Sequence, residues 1–283
     1  PTMPTVKLGD LEVYYERKAP ETQSGQPAPA PLLFISGTAG DLRNKPSAMD
    51  GPLPKHFDMV AYDQRGLGQT SKPDRPYTMT DYADDAAALM DALGWPTAHV
   101  VGVSFGGMVA QELALRHPAR IRRLVLACTS PGGAGGASYP LHEVQDMPPD
   151  ARARHMLPIM DTRLTAEWAA ANPDTYEQFI AMAKNDPYKD EKDRAMGARR
   201  QLEARAHHNT WDRLNAITCP TLLCGGKYDG QALPETQLKM MERLPNAELK
   251  MFEGGHMFMI QDRTAFPAMM NFLDENQSSK NIK

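Results

Sequence analysis

The sequence predicts an α/β protein: a mostly parallel, doubly wound sheet interrupted by one helical insertion. Three observations predict it. Short apolar runs recur along the chain, stretches with helical periodicity separate them, and one long stretch, 138–208, shows no strand pattern. Apolar runs of four to eight residues are how strands buried on both faces read, and strands alternating with helices imply right-handed crossovers and a parallel sheet.

Residues 6–8 and 11–16 read as two short strands around a turn at Gly9-Asp10, and residues 19–31, rich in Pro, Ala, Gln and Ser, as a surface loop. Buried strands are expected at 32–36, 59–63, 98–103, 124–128 and 221–224, with a late apolar run at 249–252. A helix over 80–94 carries Tyr82, Ala86, Leu89, Met90 and Leu93 on one stripe, with Thr80 or Asp81 as its cap. Asp84 and Asp85 fall off that stripe, in the first turns, where negative charge suits the helix dipole. Further helices are expected over 105–117 and 234–244, and within the insertion over 166–171, 175–184 and 190–207. The expected organisation is therefore a core of residues 1–137 and 209–283 and a helical cap of residues 138–208 over the sheet's carboxyl edge.

Composition narrows the function classes. The chain has 283 residues, of which 41% are hydrophobic and 23% charged, so it can bury a sizeable core. A net charge of −4 gives no attraction to phosphate backbones or anionic lipid, so neither nucleic acid nor membrane is expected as a partner. No apolar run approaches the roughly 18–20 residues of a membrane span. Residues 1–10 lack the apolar segment of a signal peptide, and a cytoplasmic protein is expected. Cys128, Cys219 and Cys224 cannot all pair, and each lies in or beside an apolar strand-like segment. They are expected to be buried free thiols of a reducing compartment. Without closely grouped Cys or His partners, no metal and no cofactor are expected. A small-molecule substrate fits, and a monomer or homodimer both do.

The strongest chemical signal is Gly102-Val103-Ser104-Phe105-Gly106-Gly107. A buried strand runs into this G-x-S-x-G pattern and a helix runs out of it, which is the context a strained nucleophile turn requires. Small neighbours at Gly102 and Gly106 let strand and helix approach, and the helix start offers N–H groups to a developing negative charge. A serine needs a base. Among eight histidines, His56, His99 and His117 belong to sheet or helix segments and His142, His155, His207 and His208 to the cap. His256 alone lies in a Gly-rich loop after a late strand, Glu253-Gly254-Gly255-His256-Met257. The imidazole in turn needs a carboxylate. Asp229 lies in a loop just past the strand at 221–224, giving the chain order Ser…Asp…His. The competing carboxylate, Asp63, sits in Asp63-Gln64-Arg65-Gly66-Leu67-Gly68, where Asp and Arg are expected to hold a structural turn.

These motifs, with Ser36-Gly37-Thr38 and Gly226-Lys227-Tyr228-Asp229, resemble the cap-bearing α/β-hydrolase fold family of carboxylesterases, enol-lactone hydrolases and carbon–carbon bond hydrolases. The resemblance covers nearly the whole chain outside the cap. It implies Ser104 as nucleophile, His256 as base and Asp229 as orienting acid, and an oxyanion hole of the Thr38 and Phe105 amides with the Thr38 hydroxyl as a third donor. Family members typically carry His-Gly where this chain has Ser36-Gly37. Members that attack saturated carbon use an aspartate nucleophile, so Ser104 argues against dehalogenase or epoxide hydrolase chemistry. The implied activity is hydrolysis of a small ester or lactone through an acyl-enzyme. Rival readings are carbon–carbon bond hydrolysis with the same triad, and a ligand sensor with negligible turnover.

In the cap, Met147, Met156, Met160, Met182 and Met196 with Leu157, Trp168, Tyr176 and Phe179 either line an adaptable apolar pocket or pack cap helices together. Arg199, Arg200, Arg205, His207 and His208 form a basic cluster, either a solvated face or the holder of a substrate carboxylate.

Overall fold

The computed structural model describes residues 4–274; residues 1–3 of the N-terminal stretch lie outside it. In chain order the elements are β1 (Thr5–Leu8), β2 (Leu11–Lys18), β3 (Pro31–Ile35), β4 (Asp58–Tyr62), α1 (Met79–Ala92), β5 (Ala98–Val103), α2 (Phe105–Arg116) and β6 (Ile121–Ala127). After β6 come α3 (Pro149–Met160), α4 (Ala166–Ala171), α5 (Pro173–Lys184) and α6 (Arg194–Ala206). The chain closes with β7 (Thr221–Gly226), α7 (Pro234–Arg243), β8 (Ala247–Phe252), α8 (Phe258–Gln261) and α9 (Ala265–Leu273). The eight strands form one sheet in the order β1-β2-β4-β3-β5-β6-β7-β8. β1 pairs antiparallel with β2 and β2 with β4, and the six strands from β4 to β8 are parallel.

The apolar runs explain why this sheet is covered on both faces. Successive side chains on a strand point to opposite faces. Leu33, Val100, Leu124 and Leu223 pack with Leu89 of α1, Val109 of α2 and Met240 of α7. Their chain neighbours Leu32, Val101, Val125 and Leu222 pack with Phe258, Met269 and Leu273 from α8 and α9. Each such side chain contributes about 1.5–3 kcal/mol on full burial. The helices α3 to α6 all fall between β6 and β7, and the ends of this insertion meet. Gly132 bridges Asn209, and the Thr210 amide donates to the Pro131 carbonyl at 2.8 Å. Among the described residues no helix is long and apolar enough to cross a membrane.

Some local expectations are corrected. The cap of α1 is Thr78, upstream of both Thr80 and Asp81: its hydroxyl accepts the Asp81 amide at 3.0 Å and the Asp81 carboxylate accepts the Thr78 amide at 2.9 Å. This reciprocal capping box satisfies two orphan donors at once, which outweighs a lone cap further along. Asp85 does not serve the helix dipole from solvent. It is buried and accepts both Nε (2.9 Å) and Nη2 (2.8 Å) of Arg65. Three helices were not anticipated: α3 with its internal Pro158, the short α8, and α9 at the end of the described chain. The Cys128 and Cys224 thiols are free and buried, and that of Cys219 is free and only half-buried.

His99 of β5 is fully buried with its ring edge-on to Phe57 at 5.9 Å. Burial, aided by the charges of Arg122 and Arg123, pulls its imidazole down to about 4. The unfolded chain would protonate it near the ordinary 6.5, so its stabilising contribution is present above about pH 6.5 and lost as pH falls towards 4. Replacing His99 by Phe should remove this term. Urea unfolding at pH 7 and pH 4.5 should show the variant gaining up to about 3 kcal/mol on the wild type over that interval. An unchanged difference at the two pH values would refute the assignment.

Candidate active site

Ser104 stands at the junction of β5 and α2 with φ 55° and ψ −116°, a conformation that costs a non-glycine residue on the order of 1–3 kcal/mol. The surroundings hold it there. Its amide donates to the Ala127 carbonyl of β6 at 2.8 Å, and its carbonyl accepts the Thr129 hydroxyl at 2.8 Å and the Gly107 amide at 2.9 Å. A Cβ at Gly102 would overlap the Gly106 carbonyl, and one at Gly106 would overlap the Ile35 carbonyl of β3. Glycine at these two positions is what lets α2 start directly against the sheet.

The loops after β7 and β8 bring the other two predicted side chains to this turn. The His256 Nδ1–H donates to Asp229 Oδ2 at 2.8 Å, which leaves Nε2 to accept the Ser104 hydroxyl at 3.0 Å. Ser104, Asp229 and His256 are 4%, 2% and 7% exposed. Asp229 Oδ1 accepts the amides of Gln231 (2.8 Å) and Ala232 (2.9 Å), so both carboxylate oxygens are occupied and its orientation is determined. The His256 loop is held from two sides. The His256 amide donates to the Met160 carbonyl at 2.7 Å, and the Gly255 amide donates to Gln261 Oε1 at 2.8 Å. A deprotonated Nε2 aimed at a buried hydroxyl, with a carboxylate behind it, can take up the hydroxyl proton as oxygen attacks an electrophile.

The loop after β3 carries Thr38. The Gln64 side chain donates to the Ser36 carbonyl at 2.9 Å, the Gly40 amide to the Gly37 carbonyl at 3.2 Å, and the Ala39 amide to Gln201 Oε1 of α6 at 2.9 Å. The Thr38 hydroxyl is buried with no hydrogen-bond partner among the described residues. Phe105 opens α2, where the first amides of a helix have no partner within it.

Asp63 is not part of this constellation. It is 1% exposed, and its two oxygens accept the Leu42 amide at 2.8 Å and the Gln69 amide at 2.9 Å. Burial pushes its carboxyl up to about 6 against those two amides. Asp63 holds its turn through these two amides, and Arg65 ties the same loop to Asp85 of α1.

The apolar and basic residues of the insertion divide between the two readings. Trp168 of α4 and Phe179 of α5 stack at 5.8 Å, so these aromatics pack cap helices together, and Met182 is 73% exposed. None of the nine apolar cap residues lines either of two cavities in the structure. One of about 300 Å³ lies between the insertion and the sheet loops, with Ala39, Gly66, Arg152, Arg194 and Leu202 in its wall. The other, of about 70 Å³, is lined by Met108, Ser130, Ser138, His142, Arg205 and His208. In the basic cluster, Arg199 pairs with Asp146 and Arg200 with Asp74 and Glu203, all partly exposed, and His207 is exposed. Arg205 and His208 are buried instead. The side chains of Gln64, Gln201 and Gln261 and the Met160 carbonyl were missed in the sequence. Glutamines carry no periodic or motif signal, and a carbonyl belongs to every residue.

Comparison with known proteins places this geometry in context. A family model described as the alpha/beta hydrolase fold matches residues 30–262. The poly(3-hydroxyalkanoate) depolymerase of Ectopseudomonas oleovorans is 29% identical over 257 residues, covering 89% of this chain and 87% of its own. The 2-hydroxymuconate semialdehyde hydrolase of Pseudomonas sp. (strain CF600) is 31% identical over 241 residues, covering 79% of this chain and 78% of its own. Among solved structures, the enol-lactonase from Burkholderia xenovorans LB400 superposes with a TM-score of 0.76 at 24% identity, covering 96% of this chain and all of that one. This last likeness is one of fold.

Asp63→Asn separates the two carboxylates structurally. The new amide group would direct N–H at one of the two backbone donors, leaving that buried donor unpaired at a cost of about 1–3 kcal/mol. Urea unfolding should show that loss, and unchanged stability would mean the two amides do not depend on the carboxylate.

Proposed function

Because the chain belongs to the alpha/beta-hydrolase fold family, we propose that it is a serine hydrolase that cleaves a small carboxylic ester or lactone through an acyl-enzyme. The observation that carries this reading is the pair of hydrogen bonds Ser104 Oγ–His256 Nε2 at 3.0 Å and His256 Nδ1–Asp229 Oδ2 at 2.8 Å. Ser104 Oγ attacks the substrate carbonyl while its proton passes to His256 Nε2. Asp229 keeps the imidazole in the required tautomer and stabilises the imidazolium. The Phe105 and Thr38 amides face the developing oxyanion, joined by the buried Thr38 hydroxyl. His256 returns the proton to the leaving alkoxide oxygen, then draws one from the water that attacks the acyl carbon. The acid leaves and Ser104 regains its proton. Neither step requires a cofactor or a metal.

The substrate approaches through the cavity of about 300 Å³, whose wall includes Ala39 beside Thr38 and the α6 residues Arg194 and Leu202. Residues of the insertion thus select the substrate. They also hold the chemistry, because Ile159 and Met160 at the end of α3 accept the amides of Gly230 and His256. A second reading, carbon–carbon bond hydrolysis with the same triad, draws on the 31% identity to the 2-hydroxymuconate semialdehyde hydrolase.

Turnover of p-nitrophenyl butyrate against that of a vinylogous 1,5-diketone separates the two, and turnover of neither would overturn both. Ser104→Ala should lower kcat on the order of 10⁶-fold and abolish labelling by a fluorophosphonate. Asp229→Asn should lower kcat about 10⁴-fold through the wrong imidazole tautomer. Asp63→Asn, although destabilised, should keep activity near wild type per folded molecule. A silent Asp229→Asn beside a folded but inactive Asp63→Asn would mean that the acid is misassigned.

A further inference from the structure

Arg205 of α6 is 5% exposed, and one of its nitrogens is accounted for: Nη1 donates to the Tyr139 carbonyl at 2.8 Å. Nε and Nη2 are buried without a hydrogen-bond partner among the described residues. These two nitrogens form one edge of the guanidinium, the fork that matches a carboxylate. The rest of the chain uses that same edge repeatedly. Arg17 grips Asp58 with Nε and Nη2 at 2.8 and 2.6 Å, Arg65 grips Asp85 at 2.9 and 2.8 Å, and Arg163 grips Asp161 at 3.0 and 2.7 Å. In Arg205 alone among these, the fork meets no protein carboxylate. Burial pulls the Arg205 guanidinium down to about 10, so it remains charged at neutral pH. A buried, charged fork without a partner is costly to maintain.

Arg205 is one of the residues that line the cavity of about 70 Å³. At roughly 30 Å³ per water molecule that is space for a carboxylate head and a carbon or two. Ser130, Ser138 and His208 Nε2 are engaged within the protein, while His142 Nδ1 and His208 Nδ1 are buried without a hydrogen-bond partner among the described residues. Ser130 Oγ accepts the Ser138 amide (3.1 Å) and hydroxyl (2.8 Å), and the Ser130 carbonyl accepts His208 Nε2 (2.7 Å) and Gln111 Nε2 (3.0 Å). Burial pulls the His208 imidazole down to about 4, so that ring is neutral beside the Arg205 guanidinium. The cavity is close to the nucleophile. Met108 in its wall lies one helical turn, about 5.4 Å of rise, beyond Ser104, and Ser130 follows the residue whose hydroxyl binds the Ser104 carbonyl.

We propose that this cavity is a binding site for a small carboxylate, whose two oxygens are held by Nε and Nη2 of Arg205. The carboxylate is either a free short-chain acid or the acidic end of a substrate, and the chemistry of recognition is the same for both.

The test uses the whole chain. Acetate titrated at fixed ionic strength should raise the melting temperature saturably, with a matching isotherm by calorimetry, and acetamide of the same shape should not. Arg205→Met should weaken acetate binding about 10- to 150-fold, the worth of a charge-assisted bond. Arg205→Lys, which keeps the charge and loses the fork, should weaken it too. An equal shift with acetamide or chloride would overturn the proposal, as would undiminished acetate binding in a folded Arg205→Met. The wild-type contrast between acetate and acetamide decides the matter even if both variants fail to fold. Kinetics then separates the sources. A wild-type preference for p-nitrophenyl hydrogen glutarate over p-nitrophenyl pentanoate, lost in Arg205→Met with the neutral ester unaffected, assigns the site to the substrate. Acetate binding at Arg205 without such a preference assigns it to a free acid. Because binding is read without turnover, failure of the hydrolase reading and failure of this one give different results.

Discussion

Everything at the site depends on one crowded junction, where a serine in a left-handed conformation is wedged between a strand and a helix. The strain at Ser104 is tolerated because four hydrogen bonds fasten its amide and carbonyl to β6, Thr129 and α2. The close approach of β5, α2 and β3 is possible because Gly102 and Gly106 have no side chain to place there. Once the hydroxyl is fixed at the sheet's carboxyl edge, parallel topology does the rest. The loops after β7 and β8 must emerge at that same edge, so an acid from one and an imidazole from the other arrive beside it without any contact in sequence.

The insertion between β6 and β7 is more than a cover. Its carbonyls at Ile159 and Met160 accept backbone amides from the two loops that carry Asp229 and His256, and Gln201 of α6 accepts the amide that follows Thr38. Core and insertion therefore share the hydrogen bonds that fix the loops carrying Thr38, Asp229 and His256. On the proposed hydrolase reading, this coupling means that substrate selection and reactivity do not divide cleanly between the two parts. The buried network around Ser130, which joins α2, the strand-edge loop and α6 through Gln111, His208 and Ser138, couples them on a second side.

Charge is distributed by the same logic of burial. Arginines at the surface of the insertion find carboxylates within reach, and exposed pairs of this kind add little stability. The interior admits ionic groups only with directed partners, as Arg65 with Asp85 or Asp63 with two amides. Arg205 departs from that rule, and the departure sits beside a cavity rather than in solid core.

The parallel core was legible because a strand buried on both faces can only be written as an unbroken apolar run, and β5 was delimited to the residue. The grouping of Ser104, Asp229 and His256 was legible because glycines forced by close approach surround Ser104 and His256, and Asp229 lies just past a recognisable strand. Local patterns lost their force where long-range partners decided the outcome. Nothing near Asp85 announces that Arg65, twenty residues earlier, will take it inside. Five basic residues within ten look alike in the chain, yet only the packing of α6 against the Tyr139 loop buries Arg205 and His208 while leaving Arg199 and His207 in solvent. The sequence by itself determined which residues can do chemistry and which segments must be buried, because both are properties of side chains and their spacing. The tertiary structure decided which polar groups meet, since a hydrogen bond between distant segments depends on coordinates that no local pattern encodes.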